Sequence, residues 1–170
     1  MKLAFAVAAI ATAFAASGAG ASPMATLPCK GGALTGSFRA VPGSPGAGGI
    51  SYTLQVRNVS DATCFLTGLP VVQLLSRTGK LVPTNVSAAH PNEPIAAKVL
   101  LAPEKVASAT ARFSPDVPGI GEGHPGPCEP QAYKIRVTSP GHGSVVVAIS
   151  PPTSVCSHGA LRFTTFTVAA

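Results

Sequence analysis

The sequence predicts an all-β protein with about seven to nine short strands. Of the 170 residues, 18 are glycine and 17 are proline, which excludes helices of ordinary length because both residues disfavour the helix interior. Hydrophobic residues reach 46% and charged residues only 11%, so the composition is not that of a disordered chain. Segments of alternating apolar and polar residues lie between clusters of turn residues. This spacing is typical of a β-sandwich or a β-barrel.

Residues 1–21 have the features of a cleaved signal peptide. Lys2 provides the positive start, and a predominantly apolar run extends from Leu3 to Ala16. Ala19-Gly20-Ala21 then matches the A-x-A pattern that signal peptidase recognises. The run is shorter than the roughly 20 residues of a membrane-spanning helix. We therefore expect export, cleavage before Ser22, and no transmembrane segment.

The remaining chain, residues 22–170, reads as a single domain without internal repeats. Its predicted strands are 34–41, 50–58, 71–75, 98–101, 105–113, 132–138, 144–149 and 161–168. The clearest is 50–58, in which Ile50, Tyr52, Leu54 and Val56 share one face.

Turn residues and small side chains are the evidence for the other predicted strands. The segment Arg77 to Lys80 contains a glycine and ends strand 71–75, whereas 105–113 places three alanines on one face, which suggests close packing against a facing layer. Strands 132–138 and 144–149 flank Ser139-Pro140-Gly141-His142-Gly143 and predict a β-hairpin.

Four cysteines fall in the expected mature domain: Cys29, Cys64, Cys128 and Cys156. An even number of cysteines in an exported domain predicts two disulfides. No C-x-x-C motif is present, so a redox enzyme and a zinc ribbon have no local support. Four cysteines allow three pairings, and the spacing does not choose among them.

The sequence offers no pattern for a metal, a cofactor or a catalytic group. The four histidines lie in turns beside glycine, proline or serine and lack metal-ligand spacing: His90, His124, His142 and His158. There is no G-x-S-x-G elbow, and Gly46 to Gly49 lacks the lysine of a phosphate-binding loop. Most of the six acidic residues fall in predicted turns and loops, including Glu122 and Glu129. We therefore expect no catalytic, metal-binding or cofactor-binding residues.

The net charge of +6 is spread along the chain rather than concentrated in a basic run. Because basic residues do not alternate with aromatic ones, we expect no nucleic-acid partner. A mild positive field could still attract anionic polymers or lipids of a cell envelope.

The cysteine segments resemble a known family. The strand that ends at Asn58 is followed by Ser60 and by Cys64-Phe65-Leu66-Thr67-Gly68-Leu69-Pro70, which is similar to a C-x-L-x-G-Y-P element. This element belongs to the domain of unknown function 4232, a family of secreted and cell-envelope bacterial proteins. Leu69 replaces the usual tyrosine, and Glu104 stands where glycine is common.

The resemblance implies an immunoglobulin-like β-sandwich with disulfides Cys29–Cys64 and Cys128–Cys156. It implies no activity, because the family has no established one. We therefore expect a monomeric, non-catalytic binding or structural module of the envelope or extracellular space, with an unknown ligand held by the loop Ser114 to Cys128. The alternative is a hydrolase or metal-binding protein whose site is assembled only in three dimensions.

The signal peptide yields the first testable prediction. Amino-terminal sequencing of the protein secreted by its native host should begin at Ser22, since the Ala19-Gly20-Ala21 site directs cleavage there. A mature protein that retains Met1, or one that carries lipid on Cys29, contradicts this expectation.

Overall fold

The computed structural model describes residues 25–46, 48–122, 128 and 130–168, so the expected signal peptide lies outside the described residues. Within these ranges the chain is all-β. Its strands are β1 (Leu27–Pro28), β2 (Leu34–Ala40), β3 (Ile50–Asn58), β4 (Cys64–Thr67), β5 (Val72–Leu75), β6 (Asn85–Ala88), β7 (Lys98–Leu101), β8 (Val106–Phe113), β9 (Ala132–Thr138), β10 (Ser144–Thr153), β11 (Ala160–Phe163) and β12 (Thr167–Val168). The helical elements are a 3₁₀ turn (Gly31–Ala33) and one short helical turn, α1 (Cys156–Gly159). In the described part of the chain, no helix has the length and apolar character needed to cross a membrane.

The strands form two mixed sheets. The smaller has the order β1-β4-β7, and the larger has the order β5-β9-β10-β2-β3-β8-β11-β6, with β12 also paired to β8. Strand β2 hydrogen-bonds antiparallel to β3 and parallel to β10. It therefore joins the two halves of the larger sheet.

The long alternating segments were predicted well. Strands β3, β7 and β9 have the predicted bounds, and β9 forms the predicted hairpin with β10. The alternating residues of β3 face the interior, as do the alanines of β8. Strands β1, β4 and β6 were not predicted. All three are short. Strands β1 and β4 pair with each other in parallel, and β6 pairs in parallel with β11, which is distant in sequence.

The predicted last strand, 161–168, is interrupted at residues 164–166. Thr164 still bonds to Thr110 of β8, but the next two N–H groups have other partners: that of Thr165 donates to the Glu93 carboxylate at 2.9 Å, and that of Phe166 donates to the Gly68 carbonyl at 2.7 Å. Phe166 becomes buried as a result. The strand is thus divided into β11 and β12, and both pair with β8.

An aromatic cluster lies at the centre of the core. The ring centroid of Tyr52 lies 5.1 Å from that of Phe38 and 5.3 Å from that of Phe113, distances at which aromatic pairs attract each other. The Tyr52 hydroxyl donates a hydrogen bond to the Pro151 carbonyl at 2.9 Å, and burial raises the pKa of this group. The cluster therefore buries a polar atom without leaving it unpaired.

Asn58, at the end of β3, links the two sheets. Its side chain is fully buried; Nδ2 donates to the carbonyls of Ala62 and Leu101, at 2.8 and 2.9 Å, and Oδ1 accepts from the N–H and hydroxyl of Ser60. Leu101 belongs to β7 of the smaller sheet. Because each polar atom of the amide is paired, the low-dielectric interior strengthens this connection.

The disulfide Cys29–Cys64 fastens the smaller sheet beside this link, with its Cα atoms 4.8 Å apart. Both cysteines are buried. The carbonyl of Cys29 also accepts hydrogen bonds from the Ser139 hydroxyl and the Gly141 N–H. Through this carbonyl, the disulfide-linked strands β1 and β4 are also joined to the turn of the β9–β10 hairpin.

Gly68, after β4, lies where two backbone segments approach closely. A Cβ at this position would be 2.5 Å from the Pro94 carbonyl oxygen. The backbone of Gly68 does not adopt a positive φ, so proximity rather than conformation requires glycine here.

Gly68→Ala should lower the free energy of unfolding by about 1–3 kcal/mol, because the new methyl group forces two backbones apart. The matched control is Gly32→Ala, since nothing lies within 4 Å of a Cβ at Gly32. Urea denaturation of both variants measures the difference. Equal stability of Gly68→Ala and Gly32→Ala would show that the contact with Pro94 is not tight.

Candidate functional site

The candidate site is built around the second disulfide, Cys128–Cys156, whose Cα atoms lie 5.3 Å apart. Both disulfides therefore have the pairing that the family resemblance implies. Cys156 begins α1, in which Ser157, His158 and Gly159 have φ angles of 56°, 56° and 77°. Left-handed backbone costs roughly 1–2 kcal/mol for a residue other than glycine. This turn therefore needs stabilising contacts from other segments.

Glu122 provides those contacts. One carboxylate oxygen, Oε2, accepts hydrogen bonds from the N–H groups of Gly119 and Ser157, each at 2.7 Å. The other, Oε1, accepts a hydrogen bond from the N–H of His158. Successive N–H groups in such a turn form an anion-binding nest. Here the nest holds a carboxylate of the same chain, and only 4% of the Glu122 side chain is exposed.

The nest also changes the acidity of Glu122. Hydrogen bonds from the backbone N–H groups, that of Gly119 foremost and then those of His158 and Ser157, lower the pKa of the carboxyl group below its ordinary value of 4.5. The imidazole of His158, with Nδ1 3.7 Å from Oε1, acts in the same direction. Glu122 is therefore held as an anion.

Further contacts involve the loop Ser114 to Cys128, which we expect from the sequence to hold a ligand. The Ser114 hydroxyl accepts the Val117 N–H at 2.9 Å, and the Ser114 carbonyl accepts the Cys156 N–H at 2.9 Å. Together with Glu122, these bonds pack residues 114–122 against α1. The described part of this loop, residues 114–122, is therefore part of the folded scaffold.

A surface cleft of about 250 Å³ lies beside Ser114 and the start of α1. Its lining includes Gly49, Arg112, Ser114, Cys156, Ser157 and Arg162. No aspartate or glutamate occurs among the described residues that line it. The cleft therefore combines positive charge, hydroxyl groups and backbone.

Arg112 and Arg162 give the cleft its charge. They lie directly opposite each other on β8 and β11, and both side chains are exposed. Like charges in directly opposed positions are destabilising, so the pair has a cost that the fold must offset. Within the described ranges, neither guanidinium makes an ion pair or a hydrogen bond with another side chain.

The Arg112 side chain is positioned by Gly49. Three guanidinium atoms of Arg112 lie 3.1–3.4 Å from the place where a Cβ on Gly49 would stand. The absence of a side chain at Gly49 thus leaves room for the guanidinium to pack flat on the backbone.

Two exposed aliphatic residues stand beside the cleft on the 114–122 segment. Val117 is 51% exposed, and its Cγ2 lies 3.0 Å from the Cβ position of Gly48, a neighbour of Gly49. Ile120 is fully exposed and directly follows Gly119, which is hydrogen-bonded to Glu122. Large apolar side chains in such positions are therefore held outward by a fixed backbone.

The structure does not gather the histidines into one site among the described residues. His90 lies 3.9 Å from Glu93, His158 lies beside Glu122, and His142 is exposed in a turn, while His124 falls outside the described residues. The only group of three metal-ligand side chains in the described ranges is Glu122, Cys128 and Cys156. Both sulfurs of this group are in the disulfide and are not thiolate ligands.

A comparison with protein families matches residues 29–167 to one described as a domain of unknown function, DUF4232. The chain belongs to the DUF4232 family. The match extends from the first cysteine to β12, so it includes the candidate cleft as well as both disulfides. No curated protein and no solved structure matches the chain. For this member of DUF4232, inference about function must therefore come from the site itself.

Sequence reasoning did not find the arginine pair or the role of Glu122. Arg112 and Arg162 are 50 residues apart in the sequence, and their proximity depends on the pairing of β8 with β11. Glu122 was placed in a loop rich in glycine and proline, and nothing local indicates the distant N–H groups that it accepts.

Glu122→Gln should lower the melting temperature at neutral pH, because an amide NH₂ cannot accept the backbone N–H groups that meet there. The lowered pKa of Glu122 means that its stabilising effect is complete above pH 4.5, the ordinary value, and is lost as the pH falls through the lower folded value. The difference in stability between wild type and variant should therefore be present from pH 5 to pH 7 and shrink below about pH 4.5.

Thermal unfolding monitored by circular dichroism across this pH range tests the prediction. Asp116→Asn, an exposed change in the same segment, is the control and should behave like wild type. A Glu122→Gln variant as stable as Asp116→Asn at pH 7 would mean that the carboxylate does not stabilise the corner.

Proposed function

We propose that this chain is an exported, non-catalytic binding module of the cell envelope or extracellular space, whose ligand contacts the cleft beside Cys128–Cys156. The observation that carries the proposal is the opposed pair Arg112 and Arg162 in a cleft whose described lining contains no carboxylate. Two like charges side by side are costly in the free protein, and an anionic ligand removes that cost.

Export is supported by the two disulfides, which form and persist in oxidising compartments. Residues 1–21 complete this part of the proposal as a signal peptide that is removed before Ser22. The mature protein is then a single domain, residues 22–170, that acts as a monomer.

The absence of catalysis is supported by the chemistry of Glu122. Among the described acidic residues, Glu122 contacts the cleft residue Ser157, whose backbone N–H donates to its carboxylate. Backbone hydrogen bonds occupy both its oxygens and lower the pKa of the carboxyl group, whereas a general base works best with a pKa near the operating pH. Glu122 therefore has a structural role, that of joining two backbone segments.

The immunoglobulin-like β-sandwich belongs to the same proposal. If β2 serves as the bridge, strands β5-β9-β10 form one layer and β3-β8-β11-β6 form the other. The buried faces of β3, β8 and β9 alternate with exposed ones, as two facing layers require. In this arrangement the cleft lies in the layer that contains β8 and β11.

The test compares a variant that fills the cleft with one that leaves it open. Ala160→Phe adds a ring to a cleft residue, and Val146→Phe adds the same ring to an exposed position on β10. The two variants are first shown to have equal melting temperatures. We then expect that Ala160→Phe no longer binds to the envelope fraction of the native host and that Val146→Phe still binds. Equal retention of the two variants would show that the cleft is not the binding surface.

A further inference from the structure

We infer that the cleft binds the phosphate group of an anionic phospholipid, with Val117 and Ile120 entering the apolar edge of the membrane surface. The inference rests on the proposed binding function and names the ligand class of the same site. It makes the protein a peripheral membrane binder that needs no spanning segment.

The arginine pair favours phosphate over carboxylate. Side chains directly opposite on antiparallel strands have Cβ atoms about 4.5–5.5 Å apart, so both guanidinium groups can reach one small anion. A single guanidinium already matches the two oxygens of a carboxylate. A tetrahedral phosphate presents oxygens in more than one direction and can accept from both arginines at once.

Other groups on the cleft wall suit the same anion. Ser157 and Ser114 bring hydroxyl groups to the lining, and the lining contains no acidic residue among the described ones. Within the described ranges, the carboxylate of Glu122 contacts the cleft residue Ser157 and accepts hydrogen bonds from three backbone N–H groups. Its charge is therefore partly compensated by those N–H dipoles.

The apolar residues favour a lipid over a free phosphate. A soluble phosphate compound needs no aliphatic surface beside its site, yet Val117 is half exposed and Ile120 is fully exposed. Both belong to the segment that packs on α1, and Val117 Cγ2 lies 3.0 Å from the place where a Cβ on Gly48, a cleft residue, would stand. Cationic residues next to protruding aliphatic ones are the combination by which proteins attach to the surface of anionic bilayers.

The experiment is sedimentation of the mature, disulfide-bonded protein with vesicles of phosphatidylcholine, with and without phosphatidylglycerol. We expect binding only to vesicles that contain phosphatidylglycerol, weakened by added salt because the attraction is electrostatic. Each of Arg112→Gln and Arg162→Gln should reduce the partition coefficient about fivefold, the effect expected of one cationic side chain near such a surface. Val117→Ser combined with Ile120→Ser should reduce it about tenfold or more.

Matched controls separate the site from net charge and general hydrophobicity. Lys134→Gln with Arg136→Gln removes two positive charges from β9 and is compared with the double variant Arg112→Gln with Arg162→Gln. Leu81→Ser with Val146→Ser removes two exposed aliphatic residues elsewhere. Both controls should bind vesicles nearly as well as wild type.

Three outcomes overturn the inference. Equal losses in the β9 control and the Arg112–Arg162 variant mean that binding follows net charge and not the cleft. Arginine-dependent binding of glycerol phosphate or inorganic phosphate without any binding to vesicles means that the ligand is a soluble phosphate. No binding to vesicles, while Ala160→Phe still abolishes retention on the envelope fraction, means that the proposed function stands but its ligand is not a lipid phosphate.

Discussion

Three backbone N–H groups converge on the carboxylate of Glu122, and the geometry of the candidate site depends on this interaction. The groups come from two segments, Gly119 on the loop and Ser157 and His158 on the left-handed turn. Without an acceptor, the turn would combine an unfavourable backbone conformation with unpaired donors. The carboxylate offsets both costs and joins the segments, so the walls of the cleft keep a fixed separation.

A second buried polar group performs a similar task at the other sheet. Asn58 connects β3 to β7, and the disulfide Cys29–Cys64 lies beside this connection. Each of the two corners thus combines one disulfide with one polar side chain whose hydrogen bonds are satisfied by backbone. Such pairing allows a small domain with few charged residues to specify the position of irregular segments. Among the described residues, the opposed guanidinium groups of Arg112 and Arg162 have no side-chain partner, which is the reason to look for a ligand there.

The sequence predicted the long strands and much less of the site. Strands β3, β8 and β9 were evident because a buried face imposes a two-residue period on seven or more consecutive residues. The four-residue strand β6 has no such signal, since its pairing with β11 comes from a distant part of the chain. The cleft was missed for the same reason: Arg112 meets Arg162 only through strand pairing. Glu122 likewise meets the N–H groups of Ser157 and His158 only after the disulfide and the loop bring α1 close.

The most direct measurement is amide hydrogen exchange at Ser157 and His158, followed by nuclear magnetic resonance at neutral pH. If the Glu122 carboxylate holds the turn, both amides are protected in the wild-type protein and in Asp116→Asn, and both exchange much faster in Glu122→Gln while the amides of β3 stay protected. Equal exchange rates for Ser157 and His158 in wild type and Glu122→Gln would contradict the account, because the turn and the cleft wall would then be held by something other than this carboxylate.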